Sequence, residues 1–296
     1  MTRGSSPVRN KPEVIGRRRL LLGGVAAAVA AFEVHAEGAG PRKGGTPERG
    51  WRLLVNEAFT GESNLFILTA RYRPFADYVT SQLRERPTIA IEPVVNVQRF
   101  LDLARAEGKP ELVFGKSVNQ LAKLVRDNGY QPLVRRADPY KAAFIVAKDS
   151  PIRSLADASR LKAKVIMPDE MAATTAVARA ELRRQNAEQV HIVHTRYQEA
   201  VAQQISNGFA QMGVVNPTIA RKWVQDGGRV LAETQPVVNW SVLAAPKLPA
   251  AEVAQLRTAF LAMNTQATDV MGSLGIKQWA SAERQDYLAL LDYTKE

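Results

Sequence analysis

Thr174 and Thr175 are the residues whose type and placement point most directly to chemistry. Residues 165–167 read as a short strand and residues 174–184 as a helix, so two hydroxyls stand together where a helix begins. A helix start presents free backbone N–H groups and about half a positive charge, which makes it a ready anion site. Two readings of Thr174 stand side by side: a donor to a bound anion, or a helix cap worth about 1 kcal/mol. Other chemistries have few residues. The chain has no cysteine, which removes thiol nucleophiles, disulfides and thiolate zinc sites. His191 and His194, three apart on one expected strand, point to opposite faces and do not form a metal site. The carboxylates are scattered, and no nucleophile elbow, H-E-x-x-H or phosphate-binding P-loop occurs. The expectation is a binding protein without cofactor or metal, not an enzyme.

The elements that must position those threonines repeat a strand–helix rhythm. Strands are expected at 52–55, 89–95, 112–114, 132–135 and 143–147, then at 165–167, 190–193, 212–215 and 230–232, with a last one at 241–244. Helices are expected at 74–83, from Asn96 to near Gly108, from Ser117 to Gly129, and at 174–184, 197–206, 218–225, 250–264 and 280–291. Strands alternating with helices of this length imply α/β architecture with open, mainly parallel sheets flanked by helices. Two such units, with a C-terminal remainder, make sense if the chain crosses to a second lobe and returns. Residues 50–147 and 236–296 would then form lobe 1 and residues 148–235 lobe 2, with a two-strand hinge and a cleft between them. Asn216, before Pro217, reads as a helix cap, and Trp240 as a core residue at the start of the return strand.

Composition places the chain among ordinary globular proteins: 296 residues, 46% hydrophobic and 23% charged. The N-terminus has the layout of a secretory signal: a basic stretch ending Arg17-Arg18-Arg19, an apolar run over 20–32, and Val34-His35-Ala36. Cleavage is expected after Ala36, followed by a flexible linker over 37–49, and the mature protein is expected in the periplasm. The paired arginines resemble a twin-arginine signal; Leu22 stands where that pattern often has Lys, so a Sec signal is the other reading. The apolar run is too short for a membrane crossing of roughly 20 residues. Residues 1–36 carry six Lys or Arg and two Asp or Glu, so seven of the eleven net positive charges lie beyond them. That balance suits an anionic ligand; no basic block interleaved with aromatics suggests nucleic acid.

Three stretches resemble the periplasmic phosphate/phosphite/phosphonate-binding proteins that deliver ligand to ABC importers. Residues 144–157 (FIVAKDSPIRSLAD) are similar to that family's lobe crossing and its "SLADL"-type helix. Residues 165–175 (VIMPDEMAATT) resemble its strand and loop ending in paired hydroxyls at a helix start. Tyr197-Gln198-Glu199-Ala200-Val201, Asn207-Gly208 and Gly213-Val214-Val215 resemble its helix, "NG" stop and strand. The resemblance implies a type 2 periplasmic-binding-protein fold that closes by hinge motion on a small anion. It also implies an ABC permease partner in the inner membrane and a protein that works as a monomer.

By the same resemblance, Thr174 and Thr175 supply donors from lobe 2, while Tyr72, in an expected loop, and Ser117 with Asn119 face them from lobe 1. Tyr197 stands where the family often has His, Gln211 where it often has an acid, and Gly115-Lys116-Ser117-Val118-Asn119 where a Tyr is common. An acid to pair with an aminoalkyl group is therefore not expected. Lys116 is either a cation for the ligand or solvated surface. The other reading of the whole chain is a sensor or accessory interaction protein on the same scaffold, with a diverged or lost site.

Overall fold

The computed structural model describes residues 50–58 and 63–296. The expected signal and linker, residues 1–49, lie outside them. The chain opens with β1 (Trp51–Asn56), α1 (Leu65–Gln82), β2 (Ile89–Pro93), α2 (Val97–Arg105), β3 (Leu112–Gly115), α3 (Val118–Asp127) and β4 (Gln131–Arg136). It continues with β5 (Ala143–Val146), α4 (Leu155–Arg160), β6 (Lys164–Met167), α5 (Ala173–Arg184), β7 (His191–His194), α6 (Glu199–Ser206), β8 (Met212–Val215), α7 (Pro217–Gln225) and β9 (Arg229–Glu233). It ends with β10 (Ser241–Ala244), α8 (Ala250–Gln266), α9 (Thr268–Ser273), β11 (Trp279–Ser281) and α10 (Arg284–Thr294). β3, β5, β8 and β10 are buried at every position. Their short apolar runs, without polar alternation, are those of strands covered on both faces.

Two sheets result, in the orders β11-β4-β10-β3-β1-β2 and β7-β6-β8-β5-β9. Each is an open sheet flanked by helices in which most strands run the same way, β1 to β4 in the first and β6 to β9 in the second, with reversed strands set among them. In the first, β1 pairs in parallel with β2 and β3, while β10 runs antiparallel between β3 and β4. In the second, β6 pairs in parallel with β7 and β8, while β5 runs antiparallel between β8 and β9. β11 also pairs antiparallel with β4 at the edge of the first sheet; β10 and β5 are the reversed strands that arrive from the other sheet. Strands of the strand–helix units run towards the region between the sheets; β5 and β10 start there and run away from it.

Two expectations change here. The crossing expected near residue 148 comes before β5: Ala143 pairs with Val215 and Glu233 of the second sheet. The first helix, expected from Pro74, begins at Leu65, so Tyr72 is helical rather than in a loop. Asn64 caps α1 by accepting from the amides of Phe66 and Ile67. Pro74 inside the helix lacks one amide, but Leu68, Tyr72, Phe75, Ala76 and Val79 bury one continuous face around it.

Between the sheets the two crossing segments lie side by side. Tyr140 and Val237 exchange both backbone hydrogen bonds, each 2.9 Å, and Asn239 Nδ2 donates to the Asp138 carbonyl at 3.0 Å. Behind them α10 packs on both α3 and α5. Its Tyr287, Leu290 and Leu291 belong to one apolar cluster with Leu54, Val113 and Leu243 of the first sheet and Phe144 and Val165 of the second.

Gly213 shows how tightly the second lobe is filled. It lies in β8 opposite Ile145 and Ile166, and a Cβ there would stand 2.5 Å from Val201 Cγ1 and 2.9 Å from Ile205 Cδ1 of α6. Gly213→Ala must push α6 off the sheet and should destabilise the protein by about 1–3 kcal/mol, the usual range for overpacking. Urea unfolding checks this; an unchanged midpoint would show that α6 yields freely.

Candidate functional site

A cavity of about 650 Å³ opens where the strand ends of the two sheets meet. The first sheet contributes Glu57 after β1, Lys116 and Ser117 after β3, and Trp240 before β10; the second contributes Thr174 after β6 and Asn216 after β8. Ligands of open α/β sheets bind at the carboxyl ends of parallel strands, where the helices that follow begin. The end of β1 is shaped by Asn56, whose Nδ2 donates to the Val94 carbonyl at 2.6 Å while its Oδ1 accepts from the Ala58 amide at 3.0 Å. This turn delivers Glu57 to the cavity.

Three helix N-termini meet the cavity, and they differ in one respect. At α7 the Asn216 side chain accepts from the Thr218 and Ile219 amides at 2.9 and 3.0 Å. At α3 and α5 no side chain caps the first turn, so these amides lack the usual side-chain acceptor. Ser117, at the start of α3, is 4% exposed, and its hydroxyl has no hydrogen-bond partner among the described residues. Thr174, in the first turn of α5, is 2% exposed, and its Oγ1 lies 2.5 Å from the Tyr140 hydroxyl. Burial pushes the Tyr140 phenol up to about 12, against the opposing effect of that hydrogen bond. The phenol therefore stays protonated at neutral pH and can donate to Thr174, which frees the threonine hydrogen for an acceptor in the cleft.

Electrostatics centre on Glu57. Its Oε2 lies 3.0 Å from Arg71 Nη1 and 3.2 Å from Lys116 Nζ, and its Oε1 accepts from the Tyr72 hydroxyl at 2.8 Å. Burial raises the Glu57 pKa, but Lys116, the Tyr72 hydrogen bond and Arg71 together hold it below its ordinary value. Burial outweighs Glu57 at Lys116 and lowers its ammonium. Lys116 Nζ also sits 4.2 Å from the Trp240 ring centroid and the Arg136 guanidinium 4.5 Å from it. Arg136 in turn forks onto Asp138 at 2.8 and 2.6 Å. Arg221 and Lys277 complete the basic lining.

Of the residues singled out from the sequence, Ser117 and Thr174 line the cavity. Thr175 is turned inward, donating to the Pro168 carbonyl at 3.0 Å. Tyr72, fully buried in α1, supports Glu57 from behind. Asn119 is also buried; its Nδ2 donates to the Met171 carbonyl at 3.3 Å and to Glu296 at 3.2 Å, joining the lobes rather than facing the cleft. Tyr197 is half-buried under the Arg196 guanidinium, and its neighbour Gln198 lines the cavity instead. Gln211 accepts from the Lys164 amide at 2.7 Å, away from the cavity. Trp240, expected in the core, is a cleft wall. Glu57, Arg136, Tyr140, Arg221 and Lys277 were not anticipated. The position of Glu57, just past a strand at the point where ligand sites form, was the available signal.

Glu57 carries the acid dependence of this wall. Its folded pKa lies below the ordinary 4.5, so its charge contributes stability above about pH 4.5 that is lost as pH falls through the lowered folded value. Glu57→Gln leaves Lys116 without its carboxylate and should cost on the order of 3 kcal/mol at neutral pH. The gap between wild type and variant should close as acid protonates Glu57. Unfolding curves between pH 3 and 7, taken as about the range over which a carboxylate titrates, check this; curves that run parallel would refute it.

The fold is shared with solved structures of other proteins. One is XAC2383 from Xanthomonas citri bound to ATP, with TM-score 0.67 and 15% identity over 82% of this chain and 97% of that one. Another is PhnD1 from Prochlorococcus marinus in complex with methylphosphonate, with TM-score 0.66 and 14% identity over 84% and 98%. A third is the binding protein component of an ABC phosphonate transporter from Pseudomonas aeruginosa, PA3383, with TM-score 0.63 and 13% identity over 83% and 85%. At these identities the likeness is one of fold. No curated protein sequence matches the chain. The profile of the periplasmic substrate-binding proteins of phosphonate ABC transporters matches residues 67–287, and the chain belongs to that family of transporter binding components, which are not enzymes.

Proposed function

We propose that this chain is an exported solute-binding protein that closes its lobes on a small phosphonate- or phosphate-like oxyanion and passes it to an inner-membrane ABC permease. The observation that carries this reading is the buried, partnerless Ser117 hydroxyl at the uncapped start of α3, in the same cavity as Thr174 at the uncapped start of α5. A hydroxyl buried without a partner costs about 1–3 kcal/mol, and a ligand oxygen removes that cost. On one side the ligand would accept from the Ser117 hydroxyl at the start of α3. On the other it would accept from Thr174, oriented by Tyr140, and from the first amides of α5. Lys116 and Arg136 supply positive charge beside it.

Because the two uncapped helices follow strands of different sheets, the ligand's contacts are complete only when the lobes approach. Differential affinity for that arrangement is what drives hinge closure. The two crossing segments, around residues 137–142 and 234–240, are the hinge. The solved relative with methylphosphonate supports the ligand class. The leader over residues 1–36 supports export, by the twin-arginine or the Sec route.

Titration calorimetry of the mature chain with methylphosphonate and with inorganic phosphate tests the reading. Ser117→Ala and Thr174→Ala should each weaken binding by roughly tenfold or more, the loss expected for one hydrogen bond to a charged acceptor. Thr175→Ala should alter stability and leave affinity in place. Silence with both oxyanions, or unchanged affinity in both cleft variants, would refute the site.

A further inference from the structure

Both carboxylates of the cleft already face cations. Glu57 already serves three donors, Arg71, Tyr72 and Lys116, and Asp138 is taken by the fork of Arg136. The Trp240 ring, a surface suited to an ammonium group, already has Lys116 and Arg136 within 4.2 and 4.5 Å of its centroid. The positive side is different. Arg221 on α7 and Lys277 before β11 line the same cavity from the two lobes, and among the described residues neither has a carboxylate partner. Arg221 bonds only the Thr218 hydroxyl of its own helix, at 3.2 Å. The first-turn amides of α7 beside it are already capped by Asn216, so its guanidinium is the free donor of that wall.

Charge complementarity follows from this inventory. The lining holds Lys116, Arg136, Arg221 and Lys277 against Glu57 and Asp138, with the positive ends of α3 and α5 added. A single phosphonate group at Ser117 and Thr174 leaves Arg221 and Lys277 uncompensated, and closing the lobes brings these like charges nearer to each other. The cavity, about 650 Å³, is of a size that houses ligands well beyond a one-carbon phosphonate.

We propose that the ligand carries a second anionic group, held by Arg221 and Lys277, so that the cleft selects phosphonates bearing a carboxylate over alkyl- and aminoalkylphosphonates. This rests on the reading of the cleft as an oxyanion site. The phosphonate end is held at the α3 and α5 starts. The carboxylate end neutralises the two cations on opposite lobes and so couples the second charge to closure. An ammonium in its place meets two cations and no free acid.

Calorimetry with methylphosphonate, 3-phosphonopropionate and 2-aminoethylphosphonate at fixed ionic strength decides the matter. The carboxylate-bearing probe should bind about tenfold tighter than methylphosphonate or more, the worth of one charge-assisted contact, and the amino-bearing probe should bind weakest. The ratio of the first two affinities should fall towards one in Arg221→Gln combined with Lys277→Gln, and return in Arg221→Lys combined with Lys277→Arg. Equal affinities for the first two probes, or a ratio that survives the double Gln variant, would overturn the second-anion proposal while leaving the oxyanion site standing. Absence of binding by all three would overturn both, and so distinguishes failure of the underlying reading.

Discussion

Two backbone hydrogen bonds between Tyr140 and Val237 hold the chain's two passages between sheets side by side, and the geometry of the cleft depends on that junction. Because the chain leaves the first sheet after β4 and re-enters it as β10, the return strand must start at the cleft and run away from it. β5 does the same in the second sheet, and both accordingly pair antiparallel with their neighbours. The remaining central strands are left with their carboxyl ends at the junction, where turns and helix starts collect. Tyr140 then reaches from the crossing itself to Thr174. The same residue that sets the two segments together also orients a hydroxyl at the start of α5.

A basic cleft next to a buried core needs its cations held without being neutralised. Lys116 is largely buried, with 11% of its side chain exposed, a position that disfavours its charge. Glu57 makes the charge tenable, and Tyr72 and Arg71 saturate what remains of the carboxylate. The acid in the wall is therefore part of the support of the cation. The helix ends show a similar division. Asn96 and Asn216 close the starts of α2 and α7 with their own side chains, while α3 and α5 carry no side-chain cap. At Ser117 the openness has a cost, a buried hydroxyl without a partner, which is understandable where an external acceptor completes it.

Local signals made much of this legible. The start of α5 could be read because a strand, a loop and paired hydroxyls follow in order, and Asn216 because an Asn-Pro pair after a strand is a strong cap signal. The parts that failed are those decided by long-range pairing. Pro74 resembled a helix start, but the buried face from Leu68 to Val79 overrode it. β5 reads as a strand in any register; its membership of the second sheet depends on β8 and β9, which come about seventy residues later. Trp240 looks like core until Lys116 and Arg136, distant in sequence, are seen against its ring. Glu57 is an unremarkable acid in the sequence and becomes informative only when three donors close on it.

α10 ties together the bodies of the two helices whose starts open into the cleft. On one side it packs on α3; on the other, Tyr293 donates to Glu181 of α5 at 3.0 Å and Arg183 of α5 donates to the Thr294 carbonyl at 2.7 Å. Glu296, just beyond α10, meets Asn119 and Lys123 of α3 at 3.2 and 3.3 Å. Asn119 itself reaches the Met171 carbonyl on the approach to α5. The bodies of the two helices are thus tied through one shared element behind the cleft, while their starts open into it. A ligand that meets both starts need not order them first, and less of its binding energy is lost to reorganisation.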